Sequence, residues 1–190
     1  MKKNILIISA PSGGGKTIVS NYILSTFPEF SFSISATTRI KRDGEIDGQH
    51  YYFISDLEFL NKKITNEFIE CEEIFGYFYG TQLSEINRIL TNKQYPLFDI
   101  DVKGAYAIQQ HYPDNSLLIF LKPPSLDVLK ERLSKRNTET DKQIKKRLER
   151  AELEISMSNK FDYVLINDKL DSLLHLVHNI IEDRFVLRKT

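Results

Sequence analysis

Near the start of the chain, a glycine-rich segment separates two apolar runs and limits what the chain can fold into. Residues 6 to 19 read LIISAPSGGGKTIV, with three of the 8 glycines of the chain side by side. Glycine loses more backbone entropy on folding than any other residue, so a segment that only has to pack gains nothing from three of them. Glycine also lets backbone N–H groups approach a ligand closely, and the lysine and threonine that follow indicate a ligand with several anionic oxygens.

Residues 10 to 17, APSGGGKT, match the phosphate-loop pattern G-x-x-x-x-G-K-[ST] except at the first position, where Ala10 replaces glycine. An apolar run typical of a strand precedes the loop and an amphipathic run typical of a helix follows it, as the pattern requires. Backbone N–H groups and the helix N-terminus would then face phosphate oxygens, while Lys16 reaches the β- and γ-phosphates and the Thr17 hydroxyl holds Mg²⁺. The triphosphate-binding residues predicted here are Ala10, Pro11, Ser12, Gly13, Gly14, Gly15, Lys16 and Thr17.

A glycine-rich turn before an N-capped helix is the alternative interpretation of these residues. The strand and helix signals on either side favour the phosphate loop. The alanine at position 10 is a mild departure, because it lets a strand end normally unless the backbone there needs a positive φ. Without a bound nucleotide, we expect the Lys16 side chain to face solvent.

Composition limits the class of protein. The chain has 190 residues, 41% apolar and 27% charged, which is enough for a core and one main domain with insertions. Lys plus Arg (26) equals Asp plus Glu (26), so no nucleic-acid partner bound through bulk positive charge is expected. The single cysteine, Cys71, excludes an internal disulfide and a cysteine-based metal site. The apolar run after Lys2 and Lys3 is too short for a signal peptide, and no segment has membrane-spanning length, so we expect a cytoplasmic protein without a membrane partner.

Apolar runs bounded by turn residues alternate with helix-period segments, which predicts an α/β fold with a parallel sheet flanked by helices. A helix is predicted over Thr17–Phe27, and an apolar stripe near the C-terminus indicates another. From about Ser35 to Leu90, short strand-like pieces and many aromatic residues indicate an inserted α+β subdomain. From Ser125, a predicted N-cap, to Lys160 the chain is helical and charged, and TDKQ at residues 140–143 has capping-box spacing. The predicted buried strands are Ile5–Ser9, Tyr95–Ile100, Leu117–Leu121 and Tyr163–Ile166.

Five more segments carry a recognisable pattern: ISATTRIKRDGEIDGQHYYF (34–53), NEFIECEEIFGYFYGT (66–81), FDIDVKGA (98–105), RLSKRNTET with KKRL (132–148) and VLIND (164–168). With the phosphate loop they resemble the guanylate kinase family in order and spacing, from Leu6 to about Phe185. The resemblance implies Mg²⁺-dependent transfer of the γ-phosphoryl group of ATP to GMP, giving ADP and GDP. It also implies a P-loop core at residues 1–34, 98–125 and 159–190, a GMP-binding subdomain at 35–97 and a mobile helical lid at 126–158.

The resemblance assigns the GMP phosphate to Arg39, Arg42, Tyr51 and Tyr79. Guanidinium groups bind phosphate through two parallel hydrogen bonds, and phenolic hydroxyls add donors without adding charge. Taken without the family, the two tyrosines would more often be packing residues.

The guanine base is assigned by the resemblance to Glu70, with Ser35, Thr81 and Asp101 around it. Alternation along FIEC puts Glu70 on the same strand face as Phe68 and implies a partly buried carboxylate. Without the family, an edge-strand charge or a salt bridge would be the simpler explanation. The threonine at position 81 stands where the family usually has serine, and it keeps the hydroxyl.

Asp99 and Asp101 are two residues apart, so they share one face at a strand end, the edge at which ligands bind in open α/β sheets. An acidic pair at this position is often only a cap for the next helix. Because a phosphate loop is present, we assign Asp99 to the Mg²⁺ side, partly through water, and the resemblance places Asp101 toward GMP.

A basic run contains Arg132 and Arg136, one helical turn apart, and Arg147 on the next predicted helix. Such a run is usually a solvated helix face. The resemblance instead assigns these arginines, together with Lys16, to catalysis, as lid residues that neutralise charge on the transferring phosphates. It also places Asn167 near the adenine of ATP, although a turn residue is nearly as good an interpretation.

Two alternatives stay open. A P-loop kinase for another small acceptor is disfavoured by Glu70, Thr81 and the arginine pair at 39 and 42. A noncatalytic guanylate-kinase-like binding module is disfavoured because such modules typically have degraded phosphate loops, whereas Lys16 and Thr17 are intact. The sequence leaves the oligomeric state open and admits a homo-oligomer.

Overall fold

Two β-sheets organise the part of the chain that the computed structural model describes, residues 2–135 and 140–187. The strands are β1 (Ile5–Ser9), β2 (Phe30–Phe32), β3 (Ala36–Thr37), β4 (Tyr52–Phe53), β5 (Phe68–Ile74), β6 (Tyr77–Gln82), β7 (Tyr95–Asp99), β8 (Ser116–Lys122) and β9 (Tyr163–Ile166). The helices are α1 (Lys16–Thr26), α2 (Asp56–Ile64), α3 (Leu83–Thr91), α4 (Val102–His111), α5 (Leu126–Ser134), α6 (Asp141–Met157) and α7 (Leu170–Arg184), with a 3-10 turn at Ser158–Lys160.

The first sheet is parallel, with strand order β2-β7-β1-β8-β9. All of β1 and nearly all of β8 are buried, as expected of strands covered on both faces. The predicted strands Ile5–Ser9 and Tyr163–Ile166 are confirmed, whereas β7 ends at Asp99, one residue early, and β8 extends one residue beyond its prediction at each end. A parallel core sheet flanked by helices confirms the predicted α/β class.

Alternation along β1 divides the core between the two faces of this sheet. Leu6 and Ile8 lie in the cluster that includes apolar residues of α1 and α7, whereas Ile5 and Ile7 lie in the cluster that includes those of α4. Since all five strands run the same way, the segments that follow β1, β7 and β9 meet at one edge. That edge carries the phosphate loop, the acidic pair and Asn167.

The second sheet is small and has the order β4-β3-β6-β5. Its strands β5 and β6 form an antiparallel hairpin whose turn residues Phe75 (φ 53°) and Gly76 (φ 83°) both have positive φ. Strand β5 packs against α4, which joins this sheet to the core. The strands of this sheet lie within residues 35–97, and the predicted division at 97/98 falls inside β7, which pairs with β1.

The charged helical segment begins with the caps that its sequence predicts. The hydroxyl of Ser125 accepts from the N–H of Val128 at 3.2 Å, which caps α5. Thr140 and Gln143 form a complete capping box at the start of α6. Among the helices of the described residues, none combines the length and the apolar character needed to cross a membrane.

Candidate active site

The loop after β1 turns through two glycines in the left-handed region. Gly13 has φ +85° and Gly15 has φ +97°, values that L side chains rarely adopt. The N–H of Gly14 donates to the Pro11 carbonyl at 2.7 Å, which closes the turn. Helix α1 begins at Lys16 without a side-chain cap from the described residues, so its first N–H groups remain for an anion.

Asn167 is hydrogen-bonded to the backbone of this loop. Its Nδ2 donates to the carbonyl of Gly14 at 2.8 Å, and a Cβ added to Gly15 would lie 2.3 Å from that nitrogen. The Asn167 carbonyl in turn accepts from Arg132 Nη2 at 2.9 Å. The structure therefore places Asn167 and Arg132 behind the loop. Glycine is required at position 15, because a side chain there would displace the Asn167 amide. Ala10 does not have a positive φ, so alanine is unstrained there.

Lys16 does not face solvent, and that expectation was wrong. Its Nζ donates to the Ala10 carbonyl at 2.9 Å and lies 3.7 Å from Asp99 Oδ1, and only 21% of the side chain is exposed. The ammonium group turns inward because these oxygens satisfy it when no phosphate is present. Burial raises the pKa of Asp99, and the Lys16 charge opposes that rise.

One cavity of about 860 Å³ lies between the carboxyl edge of the core sheet, the second sheet and α6. It is lined by twelve of the predicted site residues: Ala10, Ser12, Lys16, Ser35, Arg39, Arg42, Tyr51, Glu70, Tyr79, Asp99, Asp101 and Arg147. Thr17, Thr81, Arg132 and Asn167 do not line it, nor do Pro11 and the three loop glycines. Arg136 lies outside the described residues.

Four cavity residues, Arg39, Arg42, Tyr51 and Tyr79, are those that the sequence predicts to bind the GMP phosphate, and we call them the phosphate clamp. Arg39 is 8% exposed, and its guanidinium group lies 5.4 Å from the centre of the Tyr51 ring. It donates to both carboxylate oxygens of Glu45, at 2.7 and 3.0 Å. Burial raises the pKa of Tyr51 to about 12, so its hydroxyl stays a neutral donor at physiological pH.

Sequence reasoning missed Glu45, although it follows Arg42 by three residues in the same loop. The backbone N–H of Arg42 donates to Glu45 Oε2 at 2.8 Å. The Glu45 carboxylate therefore accepts hydrogen bonds from both the Arg39 side chain and the Arg42 backbone. The hydrogen bonds from Arg39 lower the pKa of Glu45. Glu45 therefore fixes the orientation of the Arg39 guanidinium.

Glu70 lies at the other end of the cavity. Its Oε1 accepts from the Thr81 hydroxyl at 2.6 Å, and a Cβ added to Gly104 would lie 3.1 Å from its Oε2. Burial raises the pKa of Glu70 to about 7, against the opposing hydrogen bond from Thr81. Thr81 is fully buried, so it acts on the cavity through Glu70.

The predicted shared face of Phe68 and Glu70 is wrong. The register of β5 on β6 shifts between these two residues, as in a β-bulge. Phe68 stacks on Phe59 of α2 at 4.4 Å between ring centres, whereas Ile69 and Glu70 both lie toward α4. The extra residue breaks the alternation and turns the carboxylate into the cavity.

Asp101 is both a helix cap and a cavity residue. Its Oδ1 accepts from the Gly104 N–H at 2.9 Å as the N-cap of α4, and its Oδ2 accepts from Arg150 at 2.7 Å. Arg150 also reaches Glu72 of β5 at 3.1 Å and Glu154 at 2.8 Å. Sequence reasoning gave no role to Arg150 or Glu72; the available signal was that Arg150 lies one turn after Arg147.

Arg147 connects α6 to the phosphate loop. Its Nη1 lies 2.6 Å from the Ser12 hydroxyl, and its guanidinium carbon lies 5.2 Å from the centre of the Phe75 ring. Phe75 belongs to the turn of the β5–β6 hairpin, so this arginine contacts two different walls of the cavity. The structure thus brings Arg147 to the phosphate side of the cavity and leaves Arg132 behind the loop.

Comparisons with a family model, with sequence relatives and with a solved structure all give the same family. The family model described as guanylate kinase matches residues 2–184. A guanylate kinase of Chlorobium luteolum is 45% identical over 173 residues, covering 91% of this chain and 88% of the relative. One from Porphyromonas gingivalis is 41% identical over 179 residues, covering 93% and 95%. The crystal structure of guanylate kinase from Anaplasma phagocytophilum matches with a TM-score of 0.77 at 31% identity, covering 100% of this chain and 88% of that one. By family model, by sequence and by structure, the chain belongs to the guanylate kinase family.

Proposed function

We infer that the chain transfers the γ-phosphoryl group of ATP to GMP, giving ADP and GDP. The observation that carries this proposal is that a single cavity joins Lys16 of the phosphate loop, the phosphate clamp, and Glu70 at the far end. A triphosphate, a monophosphate and a guanine edge each find there the groups that their chemistry requires. The similarity to guanylate kinases supports the same reaction.

This reaction needs no general base from the protein. The second pKa of a phosphate monoester is about 6, so the attacking oxygen of GMP already carries charge at neutral pH. The protein must hold two anions together and exclude water. We propose that residues 35–97 bind GMP, that residues 126–158 close as a lid, and that Lys16, Arg136 and Arg147 neutralise the transferring phosphates. Arg132, which donates to the Asn167 carbonyl in this structure, would join them when the lid closes.

Thr17 and Asp99 fit the Mg²⁺ that accompanies ATP. The Thr17 hydroxyl is on the exposed first turn of α1, and the Asp99 carboxylate ends β7 beside Lys16. Oxygen ligands of this kind suit Mg²⁺, which usually takes one or two protein ligands together with phosphates and waters. When bound, the ion would offset phosphate charge, and these two side chains would orient it.

A coupled assay of ADP release tests the proposal, with ATP, Mg²⁺ and each nucleoside monophosphate in turn. We expect GMP and dGMP to be phosphorylated and the other bases to be nearly inactive. Equal use of another small acceptor would instead identify a different P-loop kinase. GMP binding without ADP release would identify a noncatalytic binding module.

Arg147 and Arg39 should affect different kinetic constants. Arg147→Ala removes a cation from the phosphate-loop side, so kcat should fall about a hundredfold with a smaller change in the KM for GMP. Arg39→Ala removes a donor to the GMP phosphate, so that KM should rise about tenfold or more. Steady-state kinetics measure both, with the exposed Lys130→Ala as a control. An Arg147→Ala variant that changes only KM would contradict this division.

Glu70 should make stability and GMP binding respond to pH in opposite directions. Burial raises its pKa from 4.5 to about 7, so the folded chain holds a proton that the unfolded chain releases. Glu70 therefore costs stability above about pH 7, and that cost disappears as pH falls toward 4.5. GMP binding needs the charged form and should weaken as pH falls through about 7.

Denaturant unfolding of Glu70→Gln and the unmodified chain at several pH values checks the stability part of this prediction. The variant cannot ionise, so its free energy of unfolding should improve relative to the unmodified chain as pH rises from 4.5 to 7. A difference that does not change with pH would show that the pKa of Glu70 is not raised.

The cytoplasmic location and the lack of nucleic-acid and membrane partners stay predictions, and the oligomeric state stays open.

A further inference from the structure

Arg150 joins three elements at the guanine end of the cavity. It projects from α6, and its Nη2 donates to Asp101 Oδ2 at 2.7 Å and to Glu72 Oε2 at 3.1 Å. Its Nε donates to Glu154, one turn further along α6, at 2.8 Å. Only 25% of the side chain is exposed. The guanidinium plane is therefore fixed from its own helix while one nitrogen bridges strand β5 and the N-cap of α4.

Three carboxylates, Glu70, Glu72 and Asp101, line this end of the cavity, and we call them the acid cluster. Glu72 raises the pKa of Glu70 and of Asp101, in each case in addition to burial. Lys103 of α4 also contacts Glu72, at 2.7 Å, but its side chain is 60% exposed. Further along α6, Glu154 faces Arg150, and Arg147 is on the phosphate side. Among the described residues, Arg150 is the cation with ion pairs to both Glu72 and Asp101.

Asp101 depends on this bridge for its orientation. Its Oδ1 is held by the Gly104 N–H at 2.9 Å and its Oδ2 by Arg150, so the plane of the carboxylate is set by both. A lysine could neutralise the charge but could not reach Asp101, Glu72 and Glu154 with a planar fork. Loss of the guanidinium would leave Asp101 Oδ2 and Glu72 Oε2 without the donor that they share.

We propose that Arg150 is a positioning residue for guanine recognition, which bridges Asp101 and Glu72 and keeps the acid cluster oriented. The proposal rests on the proposed function, because it takes GMP as the ligand of this cavity. Arg150 acts through the carboxylates and does not itself contact the reacting phosphates. Its removal should therefore weaken the use of GMP and leave the use of ATP unchanged.

The test compares Arg150→Met, Arg150→Lys and the matched control Lys103→Met, which removes a cation from Glu72 and leaves the bridge intact. We expect Arg150→Met to lower kcat/KM for GMP about tenfold or more, with the KM for ATP unchanged. Most of this change should lie in the KM for GMP, with kcat lowered less. Arg150→Lys should recover only part of kcat/KM, because an ammonium group cannot bridge the two carboxylates as a planar guanidinium does. Lys103→Met should match the unmodified chain.

Glu72→Gln provides a second variant, because it removes one of the two carboxylates that Arg150 bridges. The double variant Arg150→Met with Glu72→Gln should use GMP about as well as Arg150→Met alone, since both changes break the same bridge. A general loss of stability would instead add across the two changes, and thermal unfolding measures it separately.

Three outcomes would overturn the proposal. One is an Arg150→Met variant with unchanged kcat/KM for GMP. Another is a loss that raises the KM for ATP as much as the KM for GMP and parallels a lower Tm, which would make Arg150 a purely structural residue. The third is a double variant whose loss equals the sum of the two single losses. Failure of the unmodified chain to phosphorylate GMP, or to bind it by calorimetry, is a separate result that removes the proposed function and this inference with it.

Discussion

Replacing Lys16 with alanine is expected to lower kcat at least about a hundredfold, the scale seen when one preorganised cation or donor is removed from a charge-developing site. Among the described residues, the polar contacts of the side chain are with groups of the site, the Ala10 carbonyl and Asp99. Without Lys16, no nearby cation opposes the rise in the pKa of the half-buried Asp99, so this carboxyl would take up a proton more readily. The fold should therefore survive while the triphosphate loses its main side-chain cation.

Steady-state kinetics and thermal unfolding of Lys16→Ala, with Lys130→Ala as the control, measure the two effects separately. A kcat close to that of the unmodified chain would mean that the phosphate loop is not the donor site. A large fall in Tm would mean that the Lys16–Asp99 pair stabilises the fold more than its half-buried geometry indicates.

Base selection should depend on Glu70 more than on any other residue. Guanine presents N1–H and the exocyclic amine side by side, and a carboxylate can accept both, each bond contributing about 1.5–3 kcal/mol. Adenine has a bare acceptor at N1, so AMP would lose these bonds and leave a partly buried charge unpaired. Sites built on a substrate's polar hydrogens can reject analogues without them by about 10⁴ in kcat/KM.

We therefore expect GMP and dGMP to be used, IMP poorly because it lacks the amine, and AMP, CMP and UMP barely at all. Glu70→Gln should weaken the use of GMP, because an amide offers one acceptor where two are needed. Thr81→Ser is the matched control, since it keeps the hydroxyl that donates to Glu70 at 2.6 Å. Similar kcat/KM for AMP and GMP, or unchanged kinetics in Glu70→Gln, would show that another group reads the base.

The sequence was most informative where structure is set by neighbouring residues. The phosphate loop, the strand Ile5–Ser9 and the capping box at Thr140 each depend on local spacing, and the structure has all three where the pattern predicts them. The parallel sheet also followed from pattern, because buried strands are continuous apolar runs.

What could not be predicted depends on contacts between distant segments. The bulge at Glu70 needs the register of β6 beside it, and no alternation in FIEC alone reveals one extra residue. Arg150 and Glu72 are 78 positions apart in the sequence and meet only in the folded chain. Lys16 turns inward because Asp99, on another strand, supplies a second oxygen. The partner of a long polar side chain depends on which segments lie beside it in the folded chain, and the spacing of residues along the sequence does not give that information.

The hydrogen bond from Asn167 to Gly14 spans 153 residues, and it has a consequence for biosynthesis. The glycine-rich loop leaves the ribosome early, but the amide that shapes it, and the strands β8 and β9 on that side of the sheet, leave much later. An unfinished chain therefore carries the loop's sequence without its finished form. We expect the loop to reach its folded backbone geometry only after residue 167 has been synthesised.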